Sequence, residues 1–149
     1  MLLTPHILTG AAIVTRVQNP LFGLIFVLLS HYFLDLFPQT EYSIKNIRSG
    51  RWSKSLPDFL KTFVDIALGL SIVFLTVGYA PLVLIAVFTA IFPDGLTLLY
   101  CIFPTNRLLK KHSKIHLAIN TVFENKKLPA FWGVASQIAI IAVAIFFLW

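Results

Sequence analysis

Acidic residues are scarce: six in 149 positions, against twelve Lys and Arg, and charged residues of both signs make up only 12% of the chain. So little charge cannot cover the surface of a water-soluble domain. With 58% hydrophobic residues and a mean hydropathy of +0.85, the chain reads as an integral membrane protein. A single cysteine, Cys101, lies in an apolar run, which excludes an internal disulfide and a cysteine-built structural zinc site and gives no sign of an oxidising compartment. A phosphate-cradling glycine loop, a Ser/His/Asp nucleophile pattern, internal repeats and low-complexity linkers are all absent, which leaves one transmembrane helical domain over residues 1–149. No basic region precedes the first apolar run, whose first charge is Arg16, and no small-residue cleavage site follows it. The start therefore reads as mature structure rather than a signal peptide. No nucleic-acid motif is present, and the formal charge of +6 is concentrated in two segments between apolar runs, a membrane-surface and orientation signal.

What is present is a series of apolar runs punctuated by proline. Pro5 to Val17 forms a first segment, closed by Asn19-Pro20. At ~1.5 Å per residue it reaches roughly 20 Å, short of a bilayer core of about 30 Å. It is expected to tilt within the protein or re-enter the membrane. Pro20 to Phe37 follows as a helix of nearly spanning length. Glu41 to Lys54 interleaves Lys45, Arg48, Arg51 and Lys54 with Tyr42 and Trp52, the chemistry of a headgroup-level loop. A third helix is expected from Pro57 to Tyr79 and a fourth from Pro81 to Phe103, the latter broken or kinked at Pro93-Asp94-Gly95. Thr105 to Asn125 reads as an interfacial amphipathic helix with Leu108, His112, Ile115, His116, Ile119 and Phe123 on one side and Arg107, Lys110, Lys111 and Lys114 on the other. Pro129 opens a last span to Trp149. The expected fold is an all-α multi-helix membrane bundle of about four to five membrane segments plus this interfacial helix.

If the third and fourth helices both cross, the two basic segments share one side, and the positive-inside rule makes it cytoplasmic, with the C-terminus external. Every buried ionisable group then falls in the cytoplasmic half of the bundle. A charge at such depth costs a few kcal/mol unless partnered, so convergence favours a shared site.

His31 and Asp35 stand at its centre. Four residues apart on a helix, they bring a ring nitrogen and a carboxylate to one point. A hydrogen-bonded pair hidden from lipid is the alternative. His6, one turn before Gly10, comes to the same level on an antiparallel first segment, or serves as an interfacial residue. Asp94 suits a metal ligand as well as an N-cap of a second half-helix. His112 and His116 repeat the i, i+4 spacing, or merely sit at headgroup depth. Asp65 has Lys61 four residues back as an ion-pair partner. His6, His31, Asp35, Asp94, His112 and His116 are thus the candidate metal ligands, of types that zinc, manganese or iron accept. Asp94 and Asp65 are the candidate general bases.

Thr4-Pro5-His6 with Gly10, Ser30-His31 with Asp35, Pro93-Asp94 and a late His-rich segment together resemble the LexA-regulated, membrane-bound metal-dependent hydrolases of the bacterial and archaeal inner membrane. The resemblance implies a helical membrane bundle with ligands drawn from His6, His31, Asp35 and Asp94. Through that family's similarity to zinc-dependent phospholipase C, it also implies phosphoester or lipid-like substrates. Leu96 stands where family members often carry a second acidic residue, and His112 and His116 are four rather than five apart.

The resulting expectation is an inner-membrane metal-dependent hydrolase, its divalent ion most simply zinc, in contact with anionic lipid headgroups. The rival is a non-catalytic membrane protein or transporter-like unit whose buried His and Asp groups hold helices together or line an ion path.

Overall fold

A computed structural model describes residues 2–122 and 129–149. Among them are seven α-helices and no strand: α1 (Leu3–Arg16), α2 (Pro20–Leu34), the short α3 (Lys45–Arg48), α4 (Leu56–Val77), α5 (Pro81–Ile102), α6 (Arg107–Asn120) and α7 (Ala130–Leu148). The all-α expectation holds, but the number of spans is smaller than the sequence suggested. Only α4, α5 and α7 are long and apolar enough to cross a membrane. At ~1.5 Å per residue, the 14 residues of α1 and 15 of α2 reach roughly 21 to 23 Å, too little for a core of about 30 Å. The apolar run after Pro20 looked longer because it continues to Phe37, but the helix itself stops at Leu34.

The shorter helices are central. Leu3 through Leu8 are all buried, as are Gly10, Ala11, Ala12 and Val14, because α1 is enclosed by α2, α4, α5 and α7. Two glycines set how closely it packs. A Cβ on Gly10 would lie 2.8 Å from the Ala90 Cβ and 3.3 Å from the Ala86 carbonyl, so α1 meets α5 along a small-residue stripe of the kind that lets membrane helices touch backbone to backbone. Gly69 on α4 likewise receives Ile7, with contacts of 3.0 to 3.2 Å from its ideal Cβ.

A helix that begins inside a bundle must have its first amide N–H groups satisfied by protein. Here they go to two spanning helices. Leu3 N–H donates to Asp65 Oδ2 at 2.6 Å, Thr4 N–H to Asp65 Oδ1 at 3.1 Å, the Thr4 hydroxyl to the same oxygen at 2.7 Å, and Leu2 N–H to Gln137 Oε1 at 3.1 Å. Asp65 lies nine residues into α4, about 13 Å along its axis. Lys61, the expected partner of Asp65, donates instead to the Ser43 carbonyl. Asp58, two turns earlier on the same helix, caps α3 by accepting from Asn46 and Ile47 N–H.

Between α2 and α3 the chain crosses α7 and then α4. Ser136 donates to the Pro38 carbonyl and Gln137 Nε2 to the Thr40 carbonyl. Gly133 makes room, since its ideal Cβ would lie 2.7 Å from the Gln39 carbonyl carbon. This crossing covers the place where α1 begins.

Pro93-Asp94-Gly95 does not break its helix: α5 runs unbroken from Pro81 to Ile102 with Pro93 buried inside it. An N-cap role for Asp94 is thereby removed. The sequence rule underestimated how neighbouring helices compensate a missing amide donor inside a membrane bundle.

The faces of α6 also differ from expectation. Its inward side is Leu109, His112, Ser113, His116, Ile119 and Asn120, whereas Leu108 and Ile115 are exposed together with Lys110, Lys111 and Lys114. The helix turns its histidines inward with Leu109 and Ile119, and leaves Leu108, Ile115 and Leu117 outward. Phe123 lies outside the described residues, as does the expected end of this segment at Asn125.

Candidate metal centre

The last turn of α2 carries His31, and Asp35 is its C-cap. The i, i+4 geometry holds: His31 Nε2 is 3.2 Å from Asp35 Oδ2. Three other helices complete the surroundings. Close packing at Gly10 carries His6 on α1 toward α5, where its ring stacks on that of His31 at 4.1 Å between centroids. Its Nε2 lies 3.3 Å from Asp35 Oδ1. From α6, His116 Nε2 approaches Asp35 Oδ2 to 2.9 Å and His31 Nε2 to 3.0 Å. Asp94 on α5 places Oδ1 3.7 Å from His116 Nε2. His6, His31 and Asp35 are each only 1% exposed and His116 3%, while 31% of the Asp94 side chain remains accessible.

The outer ring nitrogens show which tautomers these histidines adopt. His31 Nδ1 lies 2.6 Å from the Ala90 carbonyl. A carbonyl only accepts, so Nδ1 carries the proton and Nε2 presents its lone pair inward. The Thr97 hydroxyl donates to the Pro93 carbonyl at 3.3 Å and lies 3.0 Å from His116 Nδ1. A hydroxyl so directed accepts from His116 Nδ1–H, the tautomer in which the His116 Nε2 lone pair also faces inward; directed at Nδ1 instead, it leaves an Nε2–H that donates to Asp35 Oδ2. Orientation of imidazoles through a carbonyl or hydroxyl on the far nitrogen is the usual support of metal-binding histidines.

Two imidazole nitrogens and a carboxylate oxygen, 2.9 to 3.2 Å apart, require a positive charge among them, either a proton on an Nε2 or a metal ion. The donor spacing suits a metal ion. Ligand bonds of about 2.0 to 2.1 Å in tetrahedral geometry separate neighbouring donors by roughly 3.3 Å. Among the described residues, two sets of three bring their ligand atoms within 4.8 Å of one another: His31, Asp35 and His116, and His6, His31 and Asp94.

Of the sequence candidates, His6, His31, Asp35, Asp94 and His116 come together. His112 takes another place, with Nε2 3.1 Å from the Tyr32 hydroxyl and its ring stacked on His116. Burial, followed by the adjacent rings of His116 and His31, holds the His112 imidazole below its ordinary value of 6.5. Both Asp65 carboxylate oxygens are engaged at the start of α1, and Asp65 belongs to neither donor set. Sequence reasoning did not identify Thr97, Tyr32 or the Ala90 carbonyl. Thr97 was accessible as the position three after Asp94, on the same helix face; a backbone carbonyl leaves no trace in residue type.

An open apolar groove of about 630 Å³ lies nearby between α1, α2 and α7, with Arg16 and Phe147 among its lining residues and Leu34 and Phe37, which flank Asp35 in sequence. Comparison with protein-family models, curated proteins and solved structures returns no match for the chain, so its function has to be read from the geometry of this cluster.

Proposed function

We propose that the protein is a metal-dependent hydrolase of the inner membrane acting on phosphoester or lipid-like substrates, with a divalent transition metal, most simply zinc, held by His31, Asp35 and His116. The observation that carries the metal is the pair of inward-facing Nε2 atoms of His31 and His116 at 3.0 Å over the Asp35 carboxylate. A bound divalent ion supplies Lewis-acid polarisation of a phosphoryl or acyl oxygen and brings the pKa of a coordinated water toward neutrality.

The side chains divide the remaining work. Ala90 and Thr97 fix the two imidazoles, and Asp35 offsets the positive charge. Asp94, whose side chain is the most exposed of the group and whose buried Oδ2 has no hydrogen-bond partner, is the candidate to accept a proton from an attacking water. Asp65, already engaged as the cap of α1, serves as an internal control. The groove beside Leu34 and Phe37 suits the acyl chain of a bilayer lipid, which favours a lipid-like substrate. The exposed Lys110, Lys111 and Lys114 favour anionic headgroups at the same membrane face.

The test is turnover by purified protein in vesicles of phosphatidylethanolamine and phosphatidylglycerol with added zinc, read as released phosphorylated headgroup. Among folded protein, Asp65→Asn should lower stability, through the weakened start of α1, more than turnover, whereas Asp94→Asn should turn over slower by roughly 10²-fold or more. Folded, zinc-loaded protein that cleaves neither these lipids nor a soluble phosphodiester overturns the hydrolase. Folded protein that takes up no zinc, manganese or iron overturns the site, and the cluster becomes a buried ion pair between a protonated His116 and Asp35.

A further inference from the structure

We infer that the cluster holds two metal ions rather than one, bridged by the Asp35 carboxylate, and that the second is bound from the opposite side by His6 with Asp94. This inference rests on the metal reading above and extends it to the number of ions and the kind of substrate they recognise.

The first observation is how the Asp35 oxygens are divided. Oδ2 faces His31 and His116 at 3.2 and 2.9 Å, whereas Oδ1 faces His6 at 3.3 Å. A carboxylate with imidazole nitrogens on both oxygens has the donor arrangement of a bridging ligand.

The second observation is the relation between the rings. An imidazole lone pair lies in the plane of its ring. The His31 and His116 rings have centroids 5.2 Å apart but Nε2 atoms only 3.0 Å apart, so their lone pairs converge on one point. The rings of His6 and His31, at 22° between planes against 28° for His31 and His116, differ in lying closer and more nearly over one another, at 4.1 Å between centroids, and both direct Nε2 toward the same carboxylate. Lone pairs on rings so overlaid run side by side and serve two separate positions. Their ring separation matches the roughly 3.5 to 4 Å spacing of two-metal sites.

The third observation is that His6 is incompletely satisfied. It is 1% exposed, its Nε2 meets only the Asp35 carboxylate at 3.3 Å, and its Nδ1 has no hydrogen-bond partner. A buried polar ring in that condition costs about 1 to 3 kcal/mol and therefore implies a missing partner. Asp94 is the second ligand within reach of His6, since their ligand atoms lie within 4.8 Å of one another, while His31 is committed to the first ion. Ligating through one oxygen, it keeps the other for the proton-accepting role. Charge then identifies the substrate. Two divalent ions bring +4, and Asp35 and Asp94 return −2. The remaining positive charge suits an anionic, oxygen-rich group that can span both ions, such as a phosphoester, better than a neutral ester or amide.

The experiment is a count. Chelator-stripped protein in detergent is dialysed to equilibrium against zinc, and bound metal is measured for wild type, His6→Gln and His116→Gln, each checked for intact helical content. Two equivalents in wild type and one in each variant are expected. X-ray absorption on the zinc-loaded wild type, which needs no variant, should show a zinc–zinc shell at roughly 3.5 to 4 Å. One equivalent in wild type, a folded His6→Gln protein binding other than one, or no metal–metal shell overturns the second ion while leaving the first in place. Wild type with no bound zinc removes both this inference and the reading beneath it.

Discussion

At the scale of single residues, the site depends on small side chains as much as on its ligands. His6 reaches the cluster because Gly10, one turn later, lets α1 lie against Ala86 and Ala90 of α5. Ala90 also supplies the carbonyl that orients His31. Gly10→Ala should therefore move α1 away from α5, because its new Cβ would come within 2.8 Å of the rigid Ala90 Cβ. Overpacking of this kind costs about 1 to 3 kcal/mol. The effect should appear as a lower unfolding midpoint in detergent, with part of the loss recovered by the double variant Gly10→Ala/Ala90→Gly, which removes the closest contact. A double variant no better than the single one would show that the α1–α5 approach is not what limits stability there. Gly10 and the pairing of His31 with Asp35 were legible in the sequence because helical spacing places them by local geometry alone. The division between His116 and His112 was not. Both share one face of α6 at equivalent spacing, and only docking against α5 brings one of them within reach of Asp35.

At the scale of elements, apolar periodicity located every long helix to within a few residues but could not distinguish a span from a buried helix. α2 is as apolar as the spans and differs from them mainly in length, whereas α1 is both shorter and less apolar. For the same reason Asp65 was misread: nothing in α4 indicates that another helix begins beside it. The segment after α2 shows how that beginning is covered. Tyr42 lies there, outside the spans, and burial pushes its phenol up to about 12 from an ordinary 10.0, with the nearby charge of Asp65 adding to the rise and Thr62 opposing it. The folded protein thus favours the protonated phenol. Below about pH 10 both folded and unfolded chains keep the proton, and the contribution is fully present. As pH rises from 10 toward 12 the unfolded chain loses its proton first, and stability falls. Thermal unfolding followed between pH 9 and 12 should show a decline that Tyr42→Phe reduces. An identical decline in both proteins would mean that Tyr42 is not packed beneath this segment.

For the whole molecule, the three spans, the enclosed α1 and the largely exposed α2 lead to a prediction of sidedness. The short link at Gly78–Ala80 reverses the chain between α4 and α5, so the basic segment before α4 and the one after α5 lie at the same membrane face. Together residues 41–56 and 104–127 hold ten of the twelve Lys and Arg. Arg16, at the far end of α1, donates instead to the Phe147 carbonyl near the end of α7, which puts one basic residue at the opposite face. A bias of ten to one in short loops, with Lys61 just inside α4, predicts that the face rich in Lys and Arg is cytoplasmic and that Trp149 is external. The His/Asp cluster would then open to the cytoplasmic leaflet, because Asp94 lies eight residues, about 12 Å, from the Ile102 end of α5. Single cysteines placed in a Cys101→Ala background test this directly. Ser53 and Tyr79 are both exposed and stand at opposite ends of α4. In intact spheroplasts, a membrane-impermeant maleimide should label Tyr79→Cys and leave Ser53→Cys unlabelled until the membrane is opened. The reverse pattern would place the cluster in the outer leaflet, and its substrate would then have to be sought on the external face of the membrane.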